Sequence, residues 1–431
     1  MNAYPLATLI AVARTLSPFY RQLYEGVGDA PALTDLPLTD QKAYWAANTI
    51  RNNKLLTGPL ENGMVFKSGG TTGAPKFSVF SQSEWRIFTQ VFGEGLDAGG
   101  LRNGERIANM FYAGELYASF IFIMNSLTDA HAPVLQFPLS GKADIPTTIQ
   151  TMIDFDIDGI AGTSTTLIGL ADHLLQTNVT LPGIRRLLFG GESLYPDQRK
   201  MLARAFPNAH AASIGYASVD AGLLGYADTA CAPDEHRVFD HYTILEILDE
   251  ETNEPIRETG RLGRIVVTNL TRLLMPIIRY PVGDRGMWLE EEGAPNRKFK
   301  IAGRSEEGAR IGPVTLYVED VALVLKPFNE ALQITGFQMI ITHHDQKDRL
   351  TLKLASHSAP KLHDTASAEI LSMLFTARPL LLEFVERDLI HPPQVEWVHT
   401  ADLAINPRTG KLKRVLDLRW TDATQSPTKP S

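Results

Sequence analysis

Between residues 63 and 205 the sequence alternates short apolar runs with amphipathic ones, and this alternation constrains the fold more than any other feature. Periodicity predicts strands at 64–66, 106–111, 132–137, 159–161 and 185–189. It predicts helices at 83–96, 114–127, 145–155, 164–176 and 195–205, with Pro146 and Pro196 suited to first turns. Strands separated by helices of this length pair in parallel, because a parallel crossover needs a dozen or more residues. The expected class is therefore α/β. The first sixty or so residues read as mostly helical, with Leu6, Leu9, Ile10 and Ala13 on one face and Ser17-Pro18 ending that segment. After about residue 244 the helical pattern stops, and runs at 243–248, 264–268 and 298–302 read as an attached all-β region. Beyond Gly303 a third texture follows: helix 318–325, strands 338–342 and 350–354, helix 366–375 and strand 395–398. That is a compact α+β unit.

Composition narrows the function. With 41 Lys and Arg against 49 Asp and Glu the net charge is −8, which argues against holding nucleic acid or an anionic membrane by bulk charge. A single cysteine, Cys231, excludes a disulfide framework and a Cys-rich zinc or iron–sulfur site. No apolar run approaches the ~20 residues of a membrane helix. The N-terminus lacks the basic start and Ala-x-Ala site of a signal peptide, so the expected compartment is cytoplasmic. His343-His344 is a tempting metal pair, but adjacent residues on a strand point to opposite faces.

The most informative segment is Lys67-Ser68-Gly69-Gly70-Thr71-Thr72-Gly73-Ala74-Pro75-Lys76. Its three glycines let backbone approach a ligand closely, its hydroxyls and amides suit an anion, and Lys76 adds a positive charge. The spacing is not that of a Walker A loop, and Pro75 directly precedes the lysine. Phe77-Ser78-Val79-Phe80 alternates like a strand, so the segment is expected to join two strands; the plain alternative is a surface hairpin.

Ser68 to Lys76 resembles the phosphate loop of the adenylate-forming (AMP-binding) superfamily: acyl- and aryl-CoA ligases, peptide-synthetase adenylation domains and luciferases. Further matches follow in that family's order. Gly190-Gly191-Glu192-Ser193-Leu194 resembles G-G-E-x-L, Tyr216 to Asp220 resembles Y-G-x-T-E, and Arg279 to Asp284 resembles R-Y-x-T-G-D. Gly303-Arg304-Ser305-Glu306-Glu307 resembles the G-R-x-D-D hinge, and Arg408 to Arg414 the C-terminal lysine loop. Ser17-Pro18-Phe19-Tyr20-Arg21 and Leu274 to Tyr280 resemble the phenylacetate–CoA ligase branch.

The resemblance implies an AMP-binding N-terminal domain over 1–303, a small mobile C-terminal lid over 304–420 and a disordered tail over 421–431. It implies that Ser68, Gly69, Gly70, Thr71, Thr72, Gly73 and Lys76 hold the β- and γ-phosphates of ATP. Gly191 and Glu192 would lie against the adenine, Tyr216 in the same nucleotide site, Asp284 on the ribose hydroxyls and Arg304 on their other side. Asp220 would hold Mg2+, and Lys411 would lie between carboxylate and α-phosphate. Read on their own, Asp284 is also a turn residue beside Gly283, Arg304 a surface partner of Glu306 or Glu307, and Lys411 one charge of a solvated run. The implied activity is ATP-dependent activation of a carboxylic acid as acyl-adenylate, with pyrophosphate release, then transfer to CoA. Alternatives are adenylation alone, with transfer to an amine, carrier protein or reductase, and a nucleotide-binding accessory protein with a degenerate site. The partners would be the small acid and ATP, and a homodimer is left open.

Three departures mark a divergent subgroup. Asp220 stands where the family has a magnesium-binding glutamate, and Val219 and Val282 replace threonines, each removing a donor worth about 1 kcal/mol. Glu306 takes the aspartate position of the hinge. For the acid, Phe111-Tyr112-Ala113-Gly114 falls where the branch has a pocket motif, with Tyr117 and Phe120 following at helical spacing, Glu115 between, and Gly215 beside the Tyr216 motif. Aromatic walls suit an aryl acid, although an aromatic stripe on a helix is more often core.

Overall fold

The computed structural model describes residues 3–68, 76–114, 116–141, 143–191, 194, 196–304, 308–328, 331–332, 334–356, 363–399, 402–404 and 414–419. Of these, Ser68, Thr165, Pro196, Asp197, Gly303, Arg304, Tyr317, Glu319, Thr335 and Asp364 are described by backbone alone. The chain divides into two compact units, Met1–Ile301 and Ala302–Ser431.

The first unit opens with helices α1 (Leu6–Leu16), α2 (Pro18–Leu23) and α3 (Gln41–Ala47). Pro18 starts α2 as well as ending α1, because its fixed φ suits a first helical turn. Strands β1 (Met64–Ser68) and β2 (Lys76–Phe80) pair antiparallel, with Ser68 opposite Lys76. The glycine-rich segment thus joins two strands. Helix α4 (Gln82–Ala98) starts in a capping box: Glu84 N donates to Ser81 Oγ at 3.3 Å, and Ser81 N donates to the Glu84 carboxylate at 2.8 Å.

The predicted alternation follows: β3 (Arg106–Asn109), α5 (Ser119–Asp129), β4 (Leu135–Pro138), α6 (Ile145–Asp154), β5 (Gly159–Gly162), α7 (Ser164–Gln176), β6 (Arg186–Phe189) and α8 (Pro196–Ala205); a further strand, β7 (His210–Ser213), is not among those predicted. The strands form a parallel sheet in the order β4-β3-β5-β6-β7. Successive side chains of a strand enter opposite layers. Ala161 and Leu188 join Phe88, Phe92 and Phe122 on the α4–α5 side, whereas Ile160 and Leu187 join Leu167, Leu174 and Leu202 on the α7–α8 side.

Two expectations need correction here. The helix expected at 114–127 begins only at Ser119, because Gly114 (φ +98°) and Leu116 (φ +62°) are left-handed and cannot continue a right-handed helix. Tyr117 therefore precedes the helix, 47% exposed, and does not form a helical stripe with Phe120. The all-β region also starts earlier than residue 244. Strands β8 (Tyr216–Ser218), β9 (Gly222–Tyr226), β10 (Glu235–Val238), β11 (Thr243–Leu248), β12 (Gly263–Asn269), β13 (Tyr280–Trp288) and β14 (Lys298–Arg304) form one sheet in the order β11-β12-β13-β14-β10-β9-β8. β8 has three residues, β9 carries Gly222 and Gly225, and β13 carries Pro281, Gly283 and Gly286, so their periodicity is weak.

In the second unit β15 (Gly308–Ile311) and β16 (Val314–Tyr317) form a hairpin, followed by α9 (Val318–Leu325). Then come β17 (Ile334–His344), β18 (Lys347–Ser356), α10 (His363–Ala377), α11 (Pro379–Glu386), β19 (Gln394–Val398) and β20 (Val415–Asp417), with sheet order β19-β18-β17-β20. Asp345 and Gln346 turn the β17–β18 hairpin with φ +45° and +69°, the pair of positive values that a tight two-residue hairpin favours. Met339, Ile341, Leu350 and Leu352 pack with Val321, Leu325, Ile370 and Leu374, and a buried Arg378–Asp320 ion pair joins the two helical segments. No helix among the described residues is long and apolar enough to cross a membrane.

Candidate active site

In open parallel sheets, ligands bind beyond the carboxyl ends of strands where the strand order reverses, here between β3 and β5. The sequence-predicted residues collect beyond these ends. Phe111, Tyr112 and Gly114 follow β3, Gly190 and Gly191 follow β6, and Gly215 and Tyr216 follow β7. Gly191 turns with φ +75°, and a methyl on Gly190 would meet Ile214 at 2.5 Å. Tyr112 leans on Gly141, where an added Cβ would lie 2.9 Å from its ring.

Asp284 is aimed by a segment held from several sides. Leu273 N and Leu274 N donate to the Glu84 carboxylate at 2.7 and 2.8 Å. Tyr20 Oη donates to Pro276 O at 3.0 Å and accepts from Ile278 N at 3.2 Å, while Thr39 Oγ1 donates to Ile278 O at 2.7 Å. The two branch-like motifs, around Tyr20 and around Leu274, are therefore one device. Burial pushes the Tyr20 and Tyr44 hydroxyls well above their ordinary values, so both remain protonated donors. Arg279 sits at φ +44°, and its guanidinium is buried against Glu246 at 3.0 Å and Leu36 O at 2.6 Å. Burial raises the Glu246 carboxyl, and Arg279 opposes that rise. Beyond Gly283 (φ +83°) the Asp284 carboxylate accepts from Tyr216 Oη at 2.5 Å. Two motifs 68 residues apart thus meet in one hydrogen bond.

Asp220 follows β8 and accepts from Ser78 Oγ at 3.1 Å, tying it to the strand that begins with Lys76. Lys76 Nζ itself lies 5.4 Å from the Trp45 ring centroid. The Asp220 backbone is held by Arg272, which sequence reasoning missed. Its guanidinium donates to Val219 O at 3.1 Å, Asp220 O at 3.3 Å and Val79 O at 2.9 Å, and lies 4.1 Å over the Phe80 ring. Arg272 is 1% exposed, and burial lowers its pKa, opposed by Tyr44, Glu84 and Asp220. Val219 and Val282 pack against apolar clusters, as their side chains require.

Below Tyr216 lies His236, also missed. It is 4% exposed, its Nε2 lies 2.8 Å from Ser213 Oγ, and its ring centroid is 5.7 Å from that of Tyr216. Burial holds its pKa down to about 4, so the ring is neutral. The same Ser213 hydroxyl accepts from Gly215 N at 3.2 Å. Gly215 has φ +126°, and a methyl there would lie 2.8 Å from Phe92 ring atoms. Gly215→Ala is expected to destabilise the fold by about 1–3 kcal/mol and to raise KM for the acid. Urea unfolding and steady-state kinetics check this; an unchanged midpoint and KM would remove Gly215 from the site.

Gly69, Gly70, Thr71, Thr72, Gly73, Glu115, Glu192, Glu306, Lys411 and the tail 421–431 lie outside the described residues, as do the side chains of Ser68 and Arg304. His343 and His344 diverge. His343 Nδ1 lies 2.8 Å from the Asp348 carboxylate, whereas the His344 ring stacks on His391 at 4.1 Å. His344, Asp345 and His391 are near enough to share a metal ion. However, stacked rings set their nitrogens side by side, and His391 Nε2 is already 3.1 Å from the His344 carbonyl.

No protein-family model matches the chain. Over 440 aligned residues it is 25% identical to the phenylacetate–coenzyme A ligase of Thermus thermophilus, covering 96% of this chain and 95% of that protein. It is 25% identical over 328 residues to the phenylacetate–coenzyme A ligase of Pseudomonas putida, covering 74% and 73%. Among solved structures, 2-hydroxyisobutyryl-CoA ligase in complex with 2-HIB-AMP and CoA matches with a TM-score of 0.71 at 20% identity, over 96% of this chain and 88% of that one. The ordered motifs, the meeting of Tyr216 with Asp284 and these likenesses agree: the chain has the adenylate-forming fold and is similar over nearly its whole length to a phenylacetate–CoA ligase.

Proposed function

We propose that this protein activates a carboxylic acid with ATP and passes the acyl group to CoA. The observation that carries the reading is the meeting of separated motifs: Tyr216 with Asp284, and Asp220 with Ser78, two residues beyond Lys76. In the first step a carboxylate oxygen attacks the α-phosphorus and pyrophosphate leaves. In the second the thiol sulfur attacks the acyl carbon, AMP leaves and the thiol proton is lost. Both reactants of the first step are anions, so the protein's contribution is alignment and charge stabilisation.

Lys76 and the phosphate loop would hold the β- and γ-phosphates, with Gly191 and Glu192 against the adenine and Arg304 across the ribose from Asp284. The Asp220 carboxylate is a hard oxygen donor that fits Mg2+, which would neutralise phosphate charge when bound. Lys411 would screen the repulsion between carboxylate and α-phosphate. Phe111 and Tyr112, which follow β3, favour an aryl acid, the class that includes the phenylacetate of the relatives' names. A cytoplasmic setting accords with the unpaired Cys231, whose thiol burial pushes up to about 11. The test is pyrophosphate release over a panel of aryl and alkyl acids, with and without CoA. CoA-dependent consumption of an aryl acid is expected; release without CoA use would assign adenylation alone, and no release with any acid would defeat the reading.

The ribose assignment has its own check. Asp284→Ala is expected to weaken ATP binding about 10-fold or more, because charge-assisted bonds to hydroxyls are lost. Calorimetry on a folded variant reads this, and unchanged affinity would remove Asp284 from the ribose site.

A further inference from the structure

Ile214 and Gly215 are the whole of the link between β7, at one edge of the parallel sheet, and β8, at one end of the seven-stranded sheet. The bend of this link decides where Tyr216, the first residue of β8, stands. Ile214 is set by burial, with its side chain against Gly190. Gly215 has no side chain to pack and turns at φ +126°, a conformation that glycine permits but does not itself hold. Its N–H donates to Ser213 Oγ at 3.2 Å, which closes the turn. A serine hydroxyl has three staggered positions to choose from. His236 selects the one that faces Gly215, since its Nε2 lies 2.8 Å from the same oxygen. The neutral ring either accepts the Ser213 proton at Nε2 or donates its own, and both arrangements leave Oγ a lone pair for Gly215 N.

Packing alone does not ask for a histidine here. His236 stands on β10, where the missing side chain of Gly225 leaves it room: a Cβ added to Gly225 would lie 2.9 Å from His236 Cβ and 3.0 Å from the Phe299 ring. Gly225 is also the residue that pairs with Tyr216 between β8 and β9. The imidazole centroid lies 5.7 Å from that of Tyr216 and 5.9 Å from that of Phe299, an aromatic setting that a phenyl ring would fill as well. The imidazole is almost fully buried, and its Nδ1 has no partner among the described residues, a cost that phenyl avoids. What the histidine adds is the bond between Nε2 and Ser213.

We propose that His236 is a positioning residue for nucleotide binding: through Ser213 it holds the bend at Gly215 from which Tyr216 reaches Asp284. This rests on the reading of Asp284 as the ribose ligand. His236→Phe keeps a ring of similar size and deletes both nitrogens. Its affinity for ATP, read by calorimetry on the folded full chain, is expected to fall about 3- to 10-fold, the range spanned by loss of one neutral hydrogen bond. His236→Gln gives up the ring but places an amide near the position of Nε2, so it is expected to bind ATP more tightly than His236→Phe. A packing role predicts the reverse order, because phenyl preserves the contacts with Tyr216 and Phe299.

Ser213→Ala is expected to lose as much ATP affinity as His236→Phe, and the two together no more than either, since they remove one bond. In a Tyr216→Phe background His236→Phe is expected to add nothing, because the hydroxyl it positions is gone. Wild-type affinity in His236→Phe beside a loss in Asp284→Ala overturns the positioning role alone. So does an affinity in His236→Phe that equals or exceeds that of His236→Gln, or losses that multiply in the Tyr216→Phe background. Unchanged affinity in Asp284→Ala overturns the ribose reading and the proposal with it. If neither His236 variant folds, Ser213→Ala with and without Tyr216→Phe decides by the same rule: a loss that vanishes in the double variant supports the proposal, and no loss or a multiplied one overturns it.

Discussion

Lys411→Ala is expected to lower the rate of acyl-adenylate formation by two or more orders of magnitude, roughly 3 kcal/mol of transition-state stabilisation. An ammonium placed between a carboxylate and an α-phosphate helps only while the two are approaching, so the loss should fall on kcat for adenylation and leave ATP affinity nearly unchanged. Supplied acyl-adenylate should still be consumed in the presence of CoA. Lys413 is the internal control, because the resemblance gives it no catalytic role and alanine there should have little effect. Single-turnover pyrophosphate release from both variants makes the comparison. Equal losses for the two, or none for either, would return Lys411 to the status of a surface charge.

The second large effect is structural. Arg272→Ala should destabilise the first unit by about 3–5 kcal/mol, because it removes the donor to three backbone carbonyls and the cation facing Glu84 and Asp220. Arg272→Lys should recover only part of this, since one ammonium cannot reproduce the spread of a guanidinium fork over Val79, Val219 and Asp220. Urea unfolding monitored by tryptophan fluorescence measures both. A loss below about 1 kcal/mol for the alanine variant would mean that the carbonyls find other donors.

Elements with strong periodicity were legible. Helix α7 runs from Ser164 to Gln176, the span its pattern predicts, and the strands of the parallel sheet other than β7 sit where apolar runs fall between helices. The rest was hidden for identifiable reasons. β8 and β9 together hold eight residues with two glycines, and β13 interrupts its alternation with Pro281 and Gly283. The false start of α5 came from reading apolar spacing through Gly114 and Leu116, whose backbone forbids a helix. Site residues carried by motifs could be named from sequence, but their contacts could not. Ser78 meets Asp220 across 142 positions and Arg272 meets Val79 across 193, and no local pattern specifies which distant segments will touch. Arg272 gave little signal, since a charge flanking an apolar run ordinarily marks a surface boundary.

The bonds of Tyr20 and Thr39 to residues 276–278 have a consequence for the energetics of ligand binding. The carboxylate proposed to take the ribose sits six residues beyond Ile278, on a chain whose path is set by the N-terminal helices. If nucleotide prefers the state in which those helices are docked, docking and binding share a coupling free energy, and that coupling is reciprocal. Whatever loosens α1 and α2 would then reappear as a weaker affinity for ATP, and bound nucleotide would slow the fraying of an N-terminus it never touches. The first fifty residues would thus act as a thermodynamic partner of the site and not only as its packing.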